Sequence, residues 1–161
     1  MKTLFLMRHA KSSWDNPGWR DFERPLNKRG LEAAPTMGQY MKRNKIKPDV
    51  VISSPAVRAK ETAELVIEAA EFEVDLRFDE RIYEATVPDL MKVVSEIKDE
   101  ISVVLLVGHN PGFEELLSRL TGKTERMPTA ALANINLDIN NWSDVQDLCG
   151  KLEWLVKPKE L

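Results

Sequence analysis

At 161 residues, 43% hydrophobic and 30% charged, the chain has the length and composition of one globular domain, residues 1–161, with a substantial core. Its net charge of −3 gives no global reason to expect a nucleic-acid partner, although residues 1–60 hold 13 Lys and Arg against 5 Asp and Glu while residues 61–161 hold 10 against 21. The single cysteine, Cys149, excludes an internal disulfide, and no run nears the roughly 18–20 apolar residues of a membrane span, so a cytoplasmic protein with no membrane partner is expected.

The chain opens with an apolar strand, roughly Thr3–Arg8, that ends in Arg8-His9. The aperiodic stretch Lys11–Glu23, with Trp14, Pro17, Gly18 and Trp19, reads as a long loop of the kind that covers sites. Asn27 is a good N-cap for the next helix, and Leu26 with Leu31 form a possible hydrophobic staple. Leu31, Ala34, Met37, Gly38 and Met41 follow helical spacing, and Pro35 interrupts it, predicting a kink. The cations Lys42, Arg43, Lys45 and Lys47 close that helix.

Asp49–Ser53 is a second buried strand. Ser54-Pro55 then reads as N-cap and first helical position, with the helix running to about Ala70 and Arg58 in its first turn. A short strand at Val74–Phe78 leads to a loop carrying Asp79, Glu80, Arg81, Tyr83 and Glu84. Pro88 opens a helix to about Lys98. Val103–Val107 is uniformly apolar and β-branched, ends in Gly108-His109, and is followed by Asn110-Pro111 and a helix to about Leu120. Ala131–Leu137 and Leu152–Val156 are the last strands. The β-α-β-α order predicts an α/β three-layer sandwich, with a mostly parallel central sheet and helices on both faces.

In a parallel sheet the C-terminal strand ends share one edge, where ligands bind. Three of them deliver polar groups here: Arg8-His9, Ser53-Ser54-Pro55 with Arg58, and Gly108-His109-Asn110-Pro111. Both histidines of the chain and two arginines therefore converge on one expected pocket. Guanidiniums suit phosphate oxygens, helix N-termini add to the attraction for an anion, and a neutral imidazole can attack phosphorus. Other chemistries fit poorly. Two histidines and one cysteine make no zinc site, so no metal is expected. Gly122-Lys123-Thr124 lacks the earlier glycine of a P-loop, Leu117 standing in its place. Cys149 has Leu155 where a cysteine phosphatase has arginine, and reads as a buried or edge-strand thiol.

Arg8-His9-Ala10-Lys11-Ser12 resembles the Arg-His-Gly signature of the histidine phosphatase superfamily, with Ala10 in place of glycine. Ser53-Ser54-Pro55 with Arg58, and Gly108-His109-Asn110-Pro111, match its second and third motifs in order and spacing. The short length and Arg24-Pro25-Leu26 are similar to the SixA-type phosphohistidine phosphatase branch. The resemblance implies a phosphoglycerate mutase-like fold and a cofactor-independent phosphatase. His9 is then the nucleophile, forming a phosphohistidine intermediate that water hydrolyses. Arg8, Arg58 and His109 hold the phosphoryl group, and Ser12 can add a hydroxyl contact. Arg24 is expected to form an ion pair with Asp21 or Glu23. Glu84 best matches the acid many members place after the second motif's helix, with Asp79 and Glu80 as competitors. The expected partner is a phosphorylated protein or small phosphorylated molecule, protein phosphohistidine being favoured. The alternatives are a phosphatase of small monoesters and a catalytically weak phosphate- or phosphoprotein-binding module.

Overall fold

A computed structural model describes residues 1–161. Its six strands form one sheet in the order β3-β2-β4-β1-β5-β6. They are β1 (Lys2–Arg8), β2 (Val50–Ser53), β3 (Asp75–Phe78), β4 (Val103–Gly108), β5 (Leu132–Leu137) and β6 (Gly150–Val156). The β1–β4, β2–β4 and β2–β3 pairs are parallel, and β5 runs antiparallel to both β1 and β6. The helices are α1 (Lys28–Arg43), α2 (Val57–Ala70), α3 (Val87–Ser95) and α4 (Gly112–Thr121). None is long and apolar enough to cross a membrane.

Alternation along the central strands builds two cores. Leu4 and Leu6 of β1, with Val104 and Leu106 of β4, point to one face, where Leu90 and Val94 of α3 and Phe113, Leu116 and Leu120 of α4 cover them. Phe5 and Met7, with Leu105 and Val107, point to the other, against Met37 and Met41 of α1 and Ala63 and Val66 of α2. This is the expected three-layer sandwich, and the fully apolar central strands follow from burial on both faces. Each buried aliphatic side chain contributes roughly 1.5–3 kcal/mol.

Several local expectations shift. Asn27 caps α1, accepting from the Gly30 N–H at 2.9 Å, and the helix runs unbroken through Pro35. Leu31, however, is exposed and makes no staple with buried Leu26. Gly30 takes the inward position instead. A Cβ there would lie 2.1 Å from the Lys11 carbonyl, so the missing side chain lets α1 press on the loop that follows His9. Gly38 does the same against α2, where a Cβ would lie 2.7 Å from the Val66 carbonyl. Helix α2 starts at Val57, not at Pro55, because the Ser54 hydroxyl turns the chain by accepting from the Ala56 N–H at 3.2 Å. Similarly α4 starts at Gly112, with Pro111 as its flanking residue. Gly122 ends α4 in the left-handed region (φ 74°), which accounts for the glycine that mimics a P-loop end. Cys149 is half-buried, next to edge strand β6.

Candidate active site

The C-terminal ends of β1, β2 and β4 meet at a cavity of about 280 Å³ lined by Arg8, His9, Lys11, Ser12, Trp14, Arg24, Arg58, His109, Asn110 and Thr129. Of the residues singled out in the sequence, Arg8, His9, Ser12, Arg58 and His109 are all brought together. Glu84 is not in the lining. It is exposed, with φ 52°, one residue beyond Tyr83, whose ring packs edge-on against His109 at 5.5 Å. Asp79 is bound to Arg81 at 2.7 Å and Glu80 begins a short 3-10 turn, so neither lines the cavity.

Each imidazole is oriented by one hydrogen bond. His9 Nδ1 lies 2.7 Å from the Ala10 carbonyl. A carbonyl can only accept, so Nδ1 carries the proton and Nε2 keeps its lone pair. His109 Nε2 lies 2.7 Å from Ser54 Oγ. That hydroxyl also accepts from the Ala56 N–H, and with its own proton given to Nε2 the His109 ring proton sits on Nδ1, the tautomer that would present a donor to an anion. The two rings stand 5.1 Å apart. Burial pushes the His9 imidazolium down to about 4, the Ala10 carbonyl opposing and the Arg58, Arg8 and Arg24 charges adding to the fall. Burial, then His9 and Arg58, push His109 down to about 3 against the opposing charge of Asp21. Both rings are therefore neutral near pH 7.

The histidines predict how stability depends on pH. Between their folded values and the ordinary 6.5, the unfolded chain binds more protons than the native one. Their stabilisation is fully present above about pH 6.5 and is lost as pH falls toward 4 and then 3. Urea midpoints are expected to fall from pH 6.5 to pH 4, and the decline should be shallower in His109→Gln. A midpoint flat across that window would contradict neutral burial.

The cations are held from behind, by groups outside the lining. Arg8 Nη1 donates to the Met127 carbonyl at 3.1 Å, and burial lowers its pKa, with Glu114 opposing and Arg58 adding. Glu114 and Asn110 pin that loop: Glu114 accepts from the Met127 N–H at 2.7 Å, and Asn110 Nδ2 donates to the Met127 carbonyl at 2.9 Å. Arg58 donates to the Asp21 carbonyl at 2.7 Å and to its Oδ2 at 3.0 Å. Asp21 also accepts from Arg24 at 3.1 Å and from the Tyr83 hydroxyl at 2.6 Å. Partial burial pushes the Asp21 carboxyl up, but these hydrogen bonds and the Arg58 charge outweigh it and hold it at about 2. Asp21 is thus a fixed carboxylate with no proton to give. Burial and Asp21 push the Tyr83 phenol up to about 12.

Sequence reading anticipated the Arg24–Asp21 ion pair but not Asp21's hold on Arg58 and Tyr83. Arg24 does more than pair: it is buried in the cavity wall, donates to Ser12 Oγ at 2.7 Å, and stacks under the exposed Trp14 ring at 3.5 Å. Thr62 is fully buried on the inner face of α2. Its hydroxyl accepts from the Ala10 N–H at 2.9 Å and donates to the Arg58 carbonyl at 2.7 Å, tying the His9 loop to the Arg58 helix. Ala10 itself is fully buried in the α1–α2 core, which accommodates its methyl group where the signature has glycine.

Arg8 Nε, Arg58 Nε and His109 Nδ1 are buried and have no partner within the protein. Arg8, Lys11, Arg24 and Arg58 all line the cavity, and cations gathered around one cavity suit a multiply charged oxyanion. With the His9 lone pair in the same wall, the arrangement can bind a phosphoryl group and attack it.

Comparison with known proteins agrees. The family model described as histidine phosphatase superfamily (branch 1) matches residues 4–103. An uncharacterized chloroplastic protein of Arabidopsis thaliana is 32% identical, over 98% of this chain and 78% of its own. A solved structure from Agrobacterium tumefaciens, provisionally named a phosphohistidine phosphatase SixA, is 27% identical with a TM-score of 0.84, over 98% of both chains. A protein histidine phosphatase SixA complexed with tungstate shares the fold at 23% identity and a TM-score of 0.86, over 98% of both chains. Three motifs converging on one oxyanion cavity, a matching family model and a shared fold agree: this chain belongs to the SixA-type branch of the histidine phosphatase superfamily, and its family chemistry is that of a phosphatase.

Proposed function

We propose that the protein hydrolyses phosphohistidine on a protein partner through a phosphoenzyme on His9. The observation that carries this reading is the cavity's composition: a neutral imidazole with a free Nε2 among cations, and no carboxyl group in the lining. In the first step Nε2 forms an N–P bond as the substrate's N–P bond breaks, and the phosphoryl group passes between two imidazoles. Arg8, Arg58 and the His109 Nδ1–H hold its oxygens and take up the charge that develops, with Ser12 at the wall. With its other ring nitrogen protonated from solvent, the substrate histidine departs as a neutral imidazole, a far better leaving group than an alkoxide, and needs no strong acid in the site. Water then attacks phosphorus, the His9 N–P bond breaks, and phosphate leaves with His9 neutral again.

The resemblance to a provisionally named phosphohistidine phosphatase supports the same substrate class. Glu84, exposed and next in the chain to Tyr83, is the acid for ester leaving groups in this reading, not for imidazole. The test compares phosphoimidazole with an aryl or alkyl phosphate ester. A general acid contributes about 10²–10⁴-fold where one is needed. We expect kcat/KM for the N–P substrate to exceed that for the alkyl ester by about 10²-fold or more. Glu84→Gln should leave phosphoimidazole turnover unchanged and lower the residual ester activity about 10²-fold or more. Equal rates on both substrates in the parent enzyme would overturn the phosphohistidine reading in favour of a small-monoester phosphatase.

A further inference from the structure

Beside the catalytic cavity lies a second groove of about 220 Å³, lined by Lys11, Arg29, Ala33, Pro128, Thr129, Lys157, Pro158 and Lys159. Lys11 and Thr129 line both, so the two adjoin. The groove is made by segments distant in sequence: the loop after His9, the first turn of α1, the segment before β5, and the chain beyond β6.

Its charge is one-sided. Four cations line it, no acid does, and none of the four is within ion-pair distance of a carboxylate. The nearby carboxylate of Glu160 accepts from the backbone N–H of Lys157 at 2.8 Å and pairs with neither lysine side chain. Fold stability does not explain the cations. Arg29 and Lys28 sit in the first turn of α1, which holds no acid, so they face the positive end of the helix dipole. Lys157 and Lys159 bring further like charge to the same place, and convergence of that kind is unfavourable unless something negative lies between.

We propose that this groove docks an acidic segment of the phosphoprotein substrate, carboxylate side chains lying across Arg29, Lys157 and Lys159 while the phosphorylated side chain enters the cavity at His9. The proposal rests on the phosphatase reading of that cavity and adds the partner's chemistry to it. The shared Lys11 and Thr129 fix the geometry: the acidic residues must adjoin the phosphorylated one, on the side facing α1. Rim charges of this kind act mainly on encounter and affinity, so the effect belongs in KM and in salt dependence, not in kcat.

The test uses two labelled peptides with one central phosphohistidine, flanked by Asp and Glu in one and by Asn and Gln in the other. Their binding is read by fluorescence anisotropy, and their turnover is compared with that of phosphoimidazole. Lys157→Glu/Lys159→Glu and Arg29→Glu are the variants, each checked for an unchanged Tm. The parent protein should bind the acidic peptide about tenfold more tightly than the neutral one, with the preference fading at high salt. The variants should abolish or reverse that preference and leave phosphoimidazole turnover untouched.

Equal binding of both peptides by the parent protein overturns the proposal. So does equal loss on phosphoimidazole, which would place the groove within the phosphate site. A preference that survives the charge reversals also overturns it. Variants that weaken a small bisphosphate but not the acidic peptide would assign the groove to a second phosphate instead. Because binding is read without turnover, a protein that fails to cleave any N–P bond loses the phosphohistidine reading while the groove is still judged.

Discussion

His9→Ala is expected to lower kcat/KM by at least about 10³-fold on every substrate the protein accepts, because it removes the atom that forms the covalent bond. The remaining cavity still binds phosphate, so KM should move little while kcat collapses. A phosphoenzyme trapped by acid-free quenching should carry its label on histidine in the parent protein and on nothing in the variant. The pH profile is a second reading of the same group. Nε2 is a nucleophile only when unprotonated, and burial among arginines pushes the His9 imidazolium down to about 4. Activity in the free enzyme should therefore hold from neutrality to about pH 5 and fall as pH approaches 4. Bound phosphate brings negative charge beside both rings and raises their proton affinity, so phosphate binding near pH 5 should be accompanied by proton uptake. Substantial turnover in His9→Ala, or an acid limb centred near 6.5, would remove His9 from the role given to it here.

The sequence made the frame of this site legible because each motif is contiguous and sits where a periodic element stops. Arg8-His9 ends an apolar run, Ser53-Ser54 ends another, and Gly108-His109 ends the third. Parallel pairing then places the three at one edge, since Arg8 aligns with Gly108 and Ser53 with Val107. What was not legible depends on contacts between distant segments. Nothing in the spacing of Asp21 distinguishes it from Asp15 or Glu23. Only the fold places its carboxylate against Arg58, 37 residues on, and against Tyr83, 62 residues on. Thr62 reads as one small residue on a helix's inner face until the Ala10 N–H is found beside it. The Lys11–Arg29–Lys157–Lys159 groove is invisible for the same reason, with members at both ends of the chain. Glu84 shows the converse limit. Its place in the loop puts it beside Tyr83, but the direction of a side chain in an irregular loop is set by local backbone, here a left-handed φ of 52°.

The Asp21 network supplies the second large effect. Arg58→Ala is expected to lower kcat/KM by about 10²–10³-fold, the loss typical of one preorganised donor to a developing oxyanion. Arg58→Lys should recover little of it. A lysine offers a point charge in place of the planar fork, whose Nη1 and Nη2 are held by the Asp21 carbonyl and carboxylate at the cavity wall. Asp21 acts through Arg58 and is a positioning residue. Asp21→Asn keeps its shape but halves its accepting power and removes the charge that holds Arg58, Arg24 and the Tyr83 hydroxyl together. We expect it to cost about tenfold in kcat/KM when Arg58 is present, and almost nothing when Arg58 is already alanine, because residues acting as one unit are not additive. A merely structural Asp21 would instead lower Tm alike in both backgrounds and leave kcat/KM of the folded protein unmoved. Full additivity of the two substitutions in kcat/KM would separate Asp21 from Arg58 and leave Arg24 and the Tyr83 hydroxyl as the groups through which it acts.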